Sequence, residues 1–443
     1  MSPTFSALHV RNYRIYAGGA VVSNVGTWMQ RVAQDWLVLL LSGGSGAALG
    51  ITTGLQFLPA LLLSPLAGVV ADRFPKQRVL ICTQLAMVVP AAVLGVLAIT
   101  GHATTMWVYA LALLLGLGSA FDAPARQSFV VEMVGPGDLA NAVGLNSASF
   151  NAARVVGPAL AGVLIAAGGS DVEATGWVIL ANAVSYLAVV FSLLQLRSSD
   201  LAPATPVERG KGAVRDGFRY VRGRPDLLLI LAVVFFAGTF GLNFQMTSAL
   251  MATEIYGKGA SEYGLLGSVM ALGSLTGALV AARRSNPSLR LVVAAAIAFA
   301  VVEMVAGVMP TYVWFAVWVP LVGLTALTMI TAANATMQLS VDPSMRGRVA
   351  ALYLMIFMGG TPLGSPFIGW LGEVTNARWT LIGGGLITLV GVLVSVGVYV
   401  WTQGVDLRLL LRRARRGPVD AQEAVDRERE VEEATAPTGV AAG

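Results

Sequence analysis

Runs of about 20 predominantly apolar residues, long enough to cross a bilayer as a helix, recur down the whole chain and are separated by short polar segments. They predict spans near 15–41, 47–70, 79–99, 106–121, 141–167, 176–196, 227–256, 263–282, 291–308, 312–332, 349–371 and 379–401. The run 106–121 is the shortest and is expected to extend past these limits. The first run is much longer than a signal-peptide core and has no cleavage site, so it reads as a retained span. All but four of the 29 Lys and Arg residues fall on one side of this map. The exceptions are Lys258 and Arg378 on the other side, and Arg31 and Arg154 inside spans. Such a bias places both termini in the cytoplasm, and it would collapse if one span were missing or invented.

The segment 197–226, with Ala202-Pro203-Ala204-Thr205-Pro206 followed by basic residues, divides the spans six and six. The expected organisation is a six-helix bundle over 1–196, a cytoplasmic central loop over 197–226, a second six-helix bundle over 227–401 and a charged, largely disordered cytoplasmic tail over 402–443. Two bundles with a charged linker suit a transporter whose substrate sits near the midplane between halves. The tail is basic through Arg416 and then acidic, which reads as an anchor to the membrane surface. A composition of 56% hydrophobic and 12% charged residues, with mean hydropathy +0.72, excludes a soluble globular domain. The single cysteine excludes a disulfide framework, and His9 and His102 lie in different segments without ligating neighbours, so no metal or cofactor site is expected. No G-x-x-x-x-G-K-[ST] sequence is present, which argues against direct use of ATP. The net charge of +5 reflects loop orientation and not a nucleic-acid partner.

Ionisable groups inside spans are costly and normally face a cavity or a partner. Arg31 and Asp35 stand at i and i+4 on the first span, with Asn24 and Trp28 on the same stripe. Asp35 is the best proton acceptor of the first half, able to load at one face and unload at the other. The alternative is a fixed Arg31–Asp35 pair that only orients the helix. The fifth span repeats the pattern with Ser147, Asn151, Arg154 and Pro158 on one face. Glu303, midway along the ninth span, is expected to have a structural or lipid-adjacent role. Trp28, Phe57, Phe240, Phe244 and Met246 suit the wall of a cavity for a large apolar or amphipathic substrate, or else the bundle core.

Three sets of residues carry a family resemblance. The loop Gly68-Val69-Val70-Ala71-Asp72-Arg73-Phe74-Pro75-Lys76-Gln77-Arg78 resembles the cytoplasmic loop after the second helix of major facilitator superfamily transporters. The segment Gly144-x8-Ala153-x3-Gly157-Pro158-x2-Ala161-Gly162 resembles the fifth-helix motif of the superfamily's antiporters, with alanine at two of its glycine positions. Trp28-Met29-Gln30, Val32-Ala33-Gln34-Asp35-Trp36, Phe121-Asp122-Ala123-Pro124-Ala125-Arg126, Leu145-Asn146-Ser147-Ala148 and Arg346-Gly347-Arg348-Val349 resemble the enterobactin-exporter and macrolide-efflux branch. This resemblance extends to about Trp401.

It implies an all-α membrane protein of twelve transmembrane helices in two six-helix bundles, the major facilitator fold. It also implies a monomer in the cell membrane that exports small molecules against protons, not an enzyme. Gly68, Asp72, Arg73 and Arg78 would latch the bundles on the cytoplasmic side, with Asp122 as partner of Arg73 or Arg78. Gly144, Gly157, Pro158 and Gly162 would seal or hinge the cavity. The arginine that drug antiporters carry on the fourth helix is missing near Ala112, so Arg31 or Arg154 replaces it or the proton route differs. A dedicated siderophore or metabolite exporter, an importer and a transport-inactive scaffold remain open at this stage.

Overall fold

The structure is a computed structural model that describes residues 3–202, 213–282, 288–342 and 345–403. Among these residues every regular element is helical. Residues 203–212, Arg283 to Pro287 and the tail from 404 lie outside them, so the proline-rich linker, part of the eighth-span loop and the tail anchor go untested.

The first half comprises α1 (Arg11–Ser42), α2 (Gly46–Arg73), α3 (Lys76–Ile99), α4 (Thr105–Met133), α5 (Pro136–Ala167) and α6 (Val172–Leu194). A short helix, α7 (Ala213–Arg222), precedes the second half. That half comprises α8 (Pro225–Phe236), α9 (Phe244–Leu250), α10 (Ala260–Ala282), α11 (Leu289–Gly307), α12 (Tyr312–Ser340), α13 (Arg346–Gly359), α14 (Thr361–Val374) and α15 (Arg378–Gln403). Among the described residues, eleven segments are long and apolar enough to cross a membrane. The expected first span, α1, is a helix of comparable length at 32 residues whose hydropathy is diluted by its polar stripe.

Helix starts follow from local chemistry. Ser45, Thr104, Asp171, Ser288 and Thr311 each accept a hydrogen bond from a backbone N–H in the first turn. Thr104 caps through Trp107 N and Thr311 through Trp314 N, so the fourth span of each half begins with the same device. Trp107, Trp177, Trp314, Trp370 and Trp379 are all exposed near one end of the spans, as an interfacial belt requires.

One boundary extends as expected and two others change. The fourth span runs on to Met133, with Asp122 and Arg126 paired one turn apart and Glu132 paired with Lys76 of α3. The seventh span is interrupted: α8 passes into a π-helical turn at Ala237–Gly241, and a second such turn, Met251–Ile255, follows α9. The eleventh span divides at Gly359–Gly360, just before Pro362. The described part of the central segment includes a helix. This helix, α7, packs on α13, with Asp216 3.6 Å from Arg348 and the Tyr220 hydroxyl donating to Asp342 at 3.1 Å.

Within the first half α1 packs on α5 and α6, α3 on α4 and α6, and α2 on α4. In the second, α12 packs on α10 and α11. The halves meet along two seams, α2 with α14 and α5 with α10. Both seams bring backbones close toward the end where α1 finishes and α2 begins. There a side chain on Gly46 would meet the Gly369 carbonyl at 2.7 Å, and one on Gly162 would meet the Ala260 carbonyl at 2.6 Å. Glu373 of α14 also accepts from Ser45 Oγ and Ala47 N, both at 3.1 Å, so a carboxylate of one half caps a helix of the other.

Candidate functional site

A cavity of about 440 Å³ lies between the halves, walled by α1, α2 and α5 on one side and by the interrupted seventh span, α10 to α13 on the other. Its wall carries several aromatic and thioether side chains, among them Phe57, Phe244, Phe299, Phe357, Met246 and Met270. Two breaks in regular helix border it, the turn at Ala237–Gly241 and the Gly359–Gly360 junction. Irregular backbone at membrane depth is tolerated where it lines such a space.

Asp35 is 5% exposed on this wall. Its Oδ2 accepts from Gln245 Nε2 and from the Tyr263 hydroxyl, each at 2.7 Å. The carboxyl of the first half is therefore held by two donors of the second. No Arg31–Asp35 ion pair forms, which removes the fixed-pair reading. The Arg31 guanidinium instead lies over the Trp28 ring, 4.7 Å from its centroid, and 5.7 Å from that of Phe57. Arg154 reaches the same indole at 5.6 Å.

The other cavity candidates divide. Trp28 and Phe244 line the space. Phe240 does not: it stacks on Phe236 and meets Phe367 edge-on, within the second half. Asn24 donates to Ser149 at 3.4 Å, and Asn151 back-bonds to Ser147 of its own helix, so both serve α1–α5 packing and helix geometry outside the cavity wall. Gln245 and Tyr263 went unread in sequence, because a glutamine and a tyrosine in apolar runs carry no signal until the chain brings them beside Asp35.

The fifth-span motif separates into parts. Gly144 is exposed with open space around it, so it packs against nothing here. Gly157 faces α1, where a Cβ would sit 2.5 Å from that of Trp28. Gly162 faces α10 of the other half, and Pro158 lines the cavity between them.

At the loop, Gly68 is buried, Asp72 half-buried, and Arg73 and Arg78 exposed. Asp122 does not reach either arginine. It pairs with Arg126 at 2.9 Å and accepts from Thr83 at 2.9 Å and Gln84 at 2.7 Å. A buried pair absent from the expectations, Lys76 with Glu132, joins the start of α3 to the end of α4, and Gln77 donates to the Leu193 carbonyl at 2.7 Å.

Glu303 is fully enclosed and faces the bundle interior, not lipid. Neither carboxyl oxygen has a hydrogen-bond partner among the described residues, and one points at Gly241 of the π-helical turn. A buried polar group without a partner destabilises, so Glu303→Met, of similar length and apolar, should raise the melting temperature of the purified protein by a few degrees. A fall instead would show that the carboxyl has a stabilising partner.

A family model described as a transmembrane secretion effector matches residues 2–414. The multidrug efflux pump Tap of Mycolicibacterium fortuitum is 29% identical over 376 residues, 82% of this chain and 90% of that protein. The enterobactin exporter EntS of Shigella boydii serotype 18 is 23% identical over 354 residues, 79% of this chain and 82% of that one. The crystal structure of a D-xylose–proton symporter shares the fold, with a TM-score of 0.67 at 11% identity over 88% of this chain and 97% of that one.

Proposed function

Because the chain belongs to the transmembrane secretion effectors of the major facilitator superfamily, we propose that it exports amphipathic small molecules from the cytoplasm by proton-coupled alternating access. The observation that carries this reading is Asp35, a carboxyl on the cavity wall bound by two donors of the opposite half. Protonating a carboxylate converts charge-assisted hydrogen bonds into neutral ones, roughly half as strong. A proton at Asp35 would thereby loosen the closed end and couple its own movement to opening. One charge moving through 100 mV supplies about 2.3 kcal/mol, enough for a gradient of roughly fifty-fold at about 1.36 kcal/mol per decade. The apolar wall suits the body of the substrate, and the names of the relatives favour outward movement. The cavity is lined within one chain, which suits a monomer as the working unit.

With the termini in the cytoplasm, as the Lys and Arg bias favours, the tight ends of the seams lie outside and the cavity opens inward. The loop residues Gly68, Asp72, Arg73 and Arg78, with Asp122 at the neighbouring helix, would then latch the cytoplasmic side in the opposite, outward-facing state. Asp72→Asn and Arg78→Ala should each lower transport several-fold while the protein stays in the membrane, and cysteine labelling should shift toward the inward-open pattern. Full transport with unchanged labelling would remove the latch role.

Substrate-induced acidification in proteoliposomes, across siderophores, macrolides and dyes, tests the whole reading. Uphill movement of several amphipaths driven by a pH gradient is expected. Movement of one siderophore alone would narrow the protein to a dedicated exporter, and no movement of any compound would leave a scaffold.

A further inference from the structure

The cavity wall carries more positive than negative charge. Its charged side chains are Arg31, Asp35 and Arg154, and the one carboxylate is already engaged by Gln245 and Tyr263. Neither arginine has an ion pair among the described residues. Both guanidinium groups converge on the Trp28 ring, at 4.7 and 5.6 Å from its centroid. An aromatic face compensates a cation only in part.

Hydrogen-bond donors accumulate at the same place. Arg31 Nε and Trp28 Nε1 are both buried, and neither finds an acceptor among the described residues. Two orphaned N–H groups and two guanidinium groups around one indole ask for an acceptor-rich, negatively charged group. The Arg fork matches an oxyanion in particular. Gly157 holds this cluster together, since a side chain there would meet the Trp28 Cβ at 2.5 Å and push α5, with Arg154, away from α1.

We propose that Arg31, Trp28 and Arg154 form an oxyanion subsite, so that the preferred substrates are amphipathic organic anions. Their carboxylate or similar oxyanion sits between the two arginines, and their apolar body lies against Phe57, Phe244 and Phe299. This rests on the export reading for its physiological meaning, but the subsite itself is a binding property. A cavity of about 440 Å³ is of the size that encloses a drug-sized molecule.

The test is equilibrium binding to the purified full-length protein in nanodiscs, with two dyes that share a xanthene skeleton and differ in charge. Fluorescein at pH 7.5 is an anion and rhodamine 6G a cation. Fluorescein should bind at least about tenfold more tightly than rhodamine 6G, the scale of a charge-assisted contact. Arg31→Gln and Arg154→Gln should each weaken fluorescein by about tenfold and tighten rhodamine 6G, whereas Arg31→Lys and Arg154→Lys should keep the anion preference. The lysine variants and the wild-type preference hold the test open should a glutamine variant fold poorly. Equal or stronger binding of rhodamine 6G by the wild type, absence of fluorescein binding, or fluorescein binding indifferent to both glutamine substitutions would overturn the subsite. A protein that exports rhodamine 6G without binding fluorescein keeps the export reading and loses this one. One that binds fluorescein through its arginines yet moves nothing keeps the subsite and loses export.

Discussion

Asp35→Asn is expected to abolish uphill export while leaving downhill movement of substrate measurable. Asparagine keeps the size of the side chain and one carbonyl acceptor for Gln245 Nε2 or the Tyr263 hydroxyl, but it neither carries the charge nor takes up a proton. The ties across the halves would be permanently in their weaker, neutral form. Accumulation driven by a pH gradient in proteoliposomes should therefore fall at least about a hundredfold, the scale expected for losing a group that acts directly in proton transfer. Counterflow of labelled substrate should persist. Labelling of a cysteine introduced at the closed end should rise, in a background where the exposed native Cys82 has been replaced. Accumulation at the wild-type level by Asp35→Asn would eliminate Asp35 as the coupling group and move attention to another carboxyl.

The second large effect is expected at Gly162. Even a methyl group there would sit 2.6 Å from the Ala260 carbonyl oxygen and 3.0 Å from Ser261 Cα, and backbone cannot swing aside as a flexible side chain can. Gly162→Leu should hold the α5–α10 seam apart, so that the closed end leaks and net export is lost, while each half folds and the protein reaches the membrane. Gly157→Leu offers the contrast. Its clash is with α1 of the same half, so melting temperature should fall together with transport, by roughly the 1–3 kcal/mol of an overpacked core. Wild-type export by Gly162→Leu, with the closed end still protected from labelling, would show that the seam parts further than this geometry allows.

The spans were legible because membrane solvation writes itself into composition. Apolar runs and the Lys and Arg bias located twelve helices, and even α1, whose stripe of Arg31 and Asp35 dilutes its hydropathy, stood out by position. Asp35, Trp28 and Arg154 were readable as cavity residues because polar groups at helical spacing in an apolar segment have few other uses. The partners of Asp35 were not readable. Gln245 and Tyr263 lie more than two hundred residues away, and only the meeting of the halves gives them meaning. The π-helical turn at Ala237–Gly241 was hidden for a different reason: a backbone register change leaves hydropathy untouched. The polar residues beyond Phe121 hid how far the fourth span extends, though its short apolar run implied an extension. Asp122 looked like the end of a span, but it accepts from Thr83 and Gln84 of α3 and pairs with Arg126 one turn on, and Glu132 further along α4 pairs with Lys76 of α3.

The α2–α14 seam has a mechanical consequence. Gly46 abuts Gly369, and Gly50 abuts the backbone at Ser365, so two bare main chains meet there without interlocked side chains. Interdigitated knobs must leave their rotamer wells before two helices can part, which makes such contacts behave like a zip. Smooth backbone surfaces have no teeth to disengage and behave more like a bearing. In the proposed alternating-access cycle, friction along this seam would then be low, and the balance between states would rest on a few polar ties across the halves, such as those of Asp35 and Glu373.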